Sequence, residues 1–175
     1  MTKTKKLILA ALCFALGLVL PSAFHMIGAG TVFLPMHIPV LICGLVCGWQ
    51  YGGACGLLVP LISSLLTGMP PLFPTAPAMM LELCAYGILT GLLYHRVRAP
   101  LYPSLIGAML GGRVVSGLAN AFFMGIAGKP YGLSAFVAAS FVTALPGIVL
   151  QLVVVPLLVV ALQKSGAING PRPAM

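Results

Sequence analysis

Acidic side chains are almost missing from this chain: one carboxylate, Glu82, stands against nine lysines and arginines, and only 6% of the 175 residues carry charge. A lone carboxylate cannot supply the paired acid and base of hydrolytic chemistry. Also missing are His-Glu-x-x-His, Gly-x-Ser-x-Gly and any Gly-rich phosphate loop with its lysine. Serine and histidine occur, but nothing orients a pair of them for intramembrane proteolysis. The sequence therefore reads as a non-enzyme with no cofactor and no ATP site of its own, so solute accumulation would need energy from elsewhere. His25 and His37 stand apart from any cluster of carboxylates or cysteines and make a poor metal site. Cys13, Cys43, Cys47, Cys55 and Cys84 all fall in apolar runs, where cysteine acts as a small hydrophobe, so free thiols are expected.

What the chain has is apolar mass. Hydrophobic residues make up 61% and the mean hydropathy is +1.15, which places it in the lipid bilayer. At ~20 residues per span the length allows roughly six transmembrane helices and no separate soluble domain. The expectation is an all-α protein with one six-helix transmembrane domain over residues 1–175. Apolar runs lie at Leu7–Ile27, Phe33–Trp49, then from a reversal at Gly52-Gly53 to Thr67, and at Thr75–Tyr94, Leu101–Ile126 and Leu133–Gln163. Lys3, Lys5 and Lys6 before an apolar run resemble a cleaved leader, but five further spans need none, and the run is read as the first helix. Lys3, Lys5, Lys6, Arg96, Arg98, Lys164 and Arg172 share one side and Lys129 the other, so both termini are expected in the cytoplasm. The net charge of +8 is mostly this signal and calls for no nucleic-acid partner.

Ionisable groups within spans are costly and mark candidate sites. Glu82 lies seven residues into the fourth run, roughly 10 Å from its outer end at 1.5 Å per residue. Arg113 heads a helical stripe with Gly117, Asn120 and Met124, and Ser140, Ala144, Gly147 and Gln151 form another in the sixth run. Facing one another, these would line a pocket. The alternative is that Glu82 and Arg113 only neutralise each other, although by count Arg113 is the deeper of the two and would have to extend outward. Pro35 and Pro39 flank His37 at an irregular helix mouth, a place where freed backbone groups must face protein or water.

The chain resembles the substrate-binding S components of energy-coupling factor (ECF) vitamin transporters over nearly its whole length. The resemblance rests on Leu34-Pro35-Met36-His37-Ile38-Pro39-Val40-Leu41 followed by Gly44 and Gly48, and on Leu65-Leu66-Thr67-Gly68-Met69-Pro70-Pro71. It extends to Glu82-Leu83 before Tyr86-Gly87, Gly91-Leu92-Leu93-Tyr94, Gly112-Arg113 and Pro146-Gly147. It implies a prokaryotic plasma-membrane subunit that works with a membrane T subunit and two ATPases, and that topples in the bilayer to carry its vitamin inward. The family's T-subunit contact is an Ala-x-x-x-Ala face, matched here by Ala11 and Ala15. Small side chains four apart let another helix approach closely, whereas Gly44, Gly48, Gly52 and Gly56 can serve packing within the subunit. The family's gating loops correspond to residues 28–32, with Gly30, and 69–74, with Met69, Pro70 and Pro71. His37 then falls at the pocket rim.

For the ligand, Arg113 suits a carboxylate, Glu82 an amine or hydroxyl, and Asn120 and Gln151 amides. Pantothenate combines acid, hydroxyl and amide, and the resemblance points to the pantothenate-type branch. A cationic vitamin or precursor such as thiamine would use Glu82 and leave Arg113 unexplained. Large planar vitamins would want more aromatic lining than Tyr86, Phe122, Phe123 and Phe136 provide. A self-sufficient secondary transporter would show internal repeats, and the two halves give none that convinces. A ligand-free assembly protein would use Glu82 and Arg113 as glue.

Overall fold

The computed structural model describes residues 1–26, 28, 33–128, 132–166 and 168. Backbone polar groups have no water to bond in hydrocarbon, so long apolar runs must close their hydrogen bonds internally as helices. The described residues accordingly form α1 (Lys3–Met26), α2 (His37–Cys47), α3 (Trp49–Thr67), α4 (Thr75–His95), α5 (Leu101–Ile126), a short α6 (Leu133–Val137), a π-helical turn (Ala138–Thr143) and α7 (Leu145–Lys164). Five helices, α1, α3, α4, α5 and α7, are long and apolar enough to cross a membrane, and α2 is a shorter apolar one. The protein is thus an all-α bundle of six principal helices.

Two boundaries differ from those expected. The chain reverses at Gly48, whose φ of +104° suits glycine, and Gly52 and Gly53 lie inside α3. Their role is packing: a methyl group on Gly52 would stand 2.6 Å from both Gly44 Cα and Gly87 O, so α2, α3 and α4 touch backbone to backbone there. Spacing alone does not separate a turn glycine from a contact glycine. The sixth run is also broken, with the π turn and Ala144 preceding α7. Pro146 enters α7 in its first turn; lacking an N–H, it cannot continue an α ladder from the preceding segment.

The helix ends sort by chemistry. Gln163 on α7 donates to the Tyr94 hydroxyl on α4 at 2.9 Å, which joins the ends that lead to Lys164 and to Arg96 and Arg98. Lys6 of α1 lies within electrostatic reach of His95 at the same end. At the opposite end, the loop after α3 is held by hydroxyls of the last turn of α3. Ser63 Oγ donates to Met69 O at 2.8 Å, Ser64 Oγ to Pro70 O, and Thr67 Oγ1 to Met69 O at 3.2 Å. Gly68 ends α3 in the left-handed region with φ +71°. The five cysteines are unbridged, and Cys13, Cys43, Cys47 and Cys55 belong to the apolar core of α1–α3.

Candidate substrate site

Phe73, just before α4, packs edge-on against Phe123, near the end of α5, with ring centroids 6.3 Å apart. This contact marks the axial register of the two helices. From it, Glu82 is nine residues along α4 and Arg113 is ten residues back along α5, so they meet at one depth. Counting from the helix ends had placed Arg113 deeper, because α5 overshoots the level where α4 begins.

At that depth Arg113 Nη1 donates to Glu82 Oε1 at 3.1 Å, and Ser116 Oγ donates to Glu82 Oε2 at 2.8 Å. Asn120, one turn further along, donates from Nδ2 to Ser116 O at 2.9 Å and to its Oγ at 3.3 Å. His37 Nε2 stands 3.5 Å from Glu82 Oε1, an electrostatic contact without hydrogen-bond geometry. The His37 ring meets Tyr86 edge to face at 5.2 Å. The Tyr86 ring in turn lies over Gly112, where a Cβ would come within 3.0 Å of it.

All of these groups except Asn120 are buried, with Glu82 and Arg113 each 7% exposed and Tyr86 fully enclosed. The set is incompletely paired among the described residues. Arg113 Nε and Nη2, Tyr86 Oη, His37 Nδ1 and both ends of the Gln151 amide have no hydrogen-bond partner. Burying a polar group unpaired is costly, and such groups mark where a partner binds.

Of the residues singled out in the sequence, Glu82, Arg113, His37, Tyr86 and Asn120 come together. His37 sits in the buried centre at 1% exposure rather than at the rim, because the first turn of α2 is packed inside the bundle. Gln151 is fully buried on α7. The side chain of Ser140 and all of Gly30 lie outside the described residues. Met69 and Pro71 are exposed at the loop surface, with Pro70 partly covered. Ala11 and Ala15 are exposed along α1. Ser116 was missed: the stripe through Arg113, Gly117 and Asn120 passes beside it, although its spacing of three from Arg113 puts it on the same face.

Fold and site together define a multi-pass helical membrane protein with a buried, ion-paired polar centre. Residues 5–159 match the family of ECF transporter substrate-specific components, and the chain belongs to that family, one of transport components rather than enzymes. No curated protein and no solved structure matches it.

Proposed function

We propose that this protein is the high-affinity vitamin-binding S component of an ECF-type importer in a prokaryotic plasma membrane. It captures a small water-soluble vitamin from outside, with pantothenate the ligand its polar groups fit best, and delivers it through a T subunit and two ATPases. Both termini face the cytoplasm in this reading, as the basic helix ends favour.

The observation that carries the reading is the Glu82–Arg113 centre, beneath a loop fixed by Ser63 and Ser64 and joined to α5 through Phe73 and Phe123. A loop already held in shape loses little conformational freedom when a ligand binds. An ion pair serving only as glue would be satisfied within the protein, whereas Arg113 uses one nitrogen of three. The test is uptake of radiolabelled pantothenate into proteoliposomes. Accumulation is expected with the T subunit, both ATPases and internal ATP, and only binding with this chain alone. Accumulation by the chain alone, driven by a sodium or proton gradient, overturns the proposal.

A further inference from the structure

Glu82 and Arg113 are not equivalent halves of the site. Each Glu82 oxygen is already engaged, Oε1 by Arg113 with His37 beside it, and Oε2 by Ser116. Arg113 is the reverse case, with Nη1 bound and Nε and Nη2 free of partners in a buried setting. Those two nitrogens form one edge of the planar guanidinium, and two parallel N–H donors on such an edge match the two oxygens of a carboxylate. The Tyr86 hydroxyl, also without a hydrogen-bond partner, lies within electrostatic reach of both Glu82 and Arg113 and can add a third contact to a ligand there.

We propose that the Nε and Nη2 edge of Arg113 binds the carboxylate of an anionic ligand, and that Glu82 is a positioning residue, held by Ser116, that fixes the guanidinium in place. The proposal rests on the S-component reading and narrows its ligand class. It also reassigns Glu82, which by its chemistry suited an amine or hydroxyl of the ligand. A cationic ligand would have to use the remaining lone pairs of the carboxylate and lie beside the guanidinium charge, which repels it.

Titration calorimetry on the purified chain separates these roles with three probes. They are pantothenate, panthenol (in which a hydroxymethyl group replaces the carboxylate) and thiamine. The unaltered chain should bind pantothenate roughly one to two orders of magnitude more tightly than panthenol, the worth of a charge-assisted contact. Arg113→Lys should bring that ratio close to one, because a point charge does not reproduce the planar fork. Glu82→Gln, which loosens the guanidinium, should weaken pantothenate more than panthenol and so lower the ratio, whereas a purely structural role would weaken both probes alike and keep it. If Arg113→Lys does not fold, the ratio for the unaltered chain still decides. Equal affinity for pantothenate and panthenol, or tight thiamine binding lost in Glu82→Gln, overturns the proposal. If no probe binds, the small molecule released from the purified protein, identified by mass spectrometry, decides: a carboxylate supports the assignment, and a ligand without one, or no ligand, overturns it. An acid bound with no ATP-driven uptake would sink the transport reading and leave the Arg113 assignment standing.

Discussion

Gln151 is fully buried on α7, yet neither end of its amide has a partner among the described residues. An apolar residue of similar size in its place removes an unpaired polar group, which is neutral or favourable for folding. If the amide instead contacts the ligand, the same change costs affinity. We expect Gln151→Leu to leave the melting temperature of the ligand-free protein in detergent unchanged or raised, while pantothenate affinity falls about tenfold, or about 1.4 kcal/mol. Unchanged affinity would remove Gln151 from the site. Asn120 differs, because its amide already anchors Ser116, the donor to Glu82 Oε2. Its influence on the ligand can therefore run through the Glu82 carboxylate.

Among the helices, α2, α3 and α4 form the tightest part of the bundle because glycine lets their backbones touch. Lipid offers little hydrophobic gain for helix association, so close van der Waals approach carries much of the attraction. A methyl group at Gly52 would press on the backbone of both neighbouring helices, neither of which has a side chain there that can yield. Gly52→Ala should therefore destabilise the protein by about 1–3 kcal/mol, the range for overpacking a well-filled interior. Gly125→Ala is the control: nothing lies within 4 Å of a Cβ on that α5 glycine, and alanine favours a helix by up to about 1 kcal/mol. Thermal melts of the two variants should move in opposite directions. A shared direction would count against the backbone-contact account. Because His37 begins α2 and Glu82 and Tyr86 lie on α4, this packing also sets how the site's residues face each other.

For the molecule as a whole, the question is which surface meets a partner. The glycines of α2–α4 are taken up by internal contacts, whereas Ala11 and Ala15 are exposed on α1, four residues apart. That leaves the alanine face free for another helix to approach, in keeping with the proposed T-subunit contact. Replacing both alanines by leucine should keep pantothenate affinity within about twofold, a change of under about 0.5 kcal/mol, because neither residue touches the polar centre. ATP-dependent uptake and co-purification with the partner subunits should be lost. Normal uptake by the double variant would place the contact elsewhere.

The composition by itself determined the solvent, and with it the all-helical architecture, since a bilayer leaves a chain this apolar few ways to satisfy its backbone. The limits of α4 and α5 were legible for the same reason: apolar runs between prolines, glycines and basic residues have little room to shift. Glu82 and Arg113 stood out as candidates because charge inside a span is rare. Their contact was decided only by the tertiary structure. Helical periodicity gives the angle of a side chain around its own axis, but not how far one helix slides along the next. The meeting of Phe73 with Phe123 makes that offset visible. The same limit hid the turn at Gly48, the burial of His37 and the part played by Ser116, each of which depends on what a neighbouring helix presents at that height.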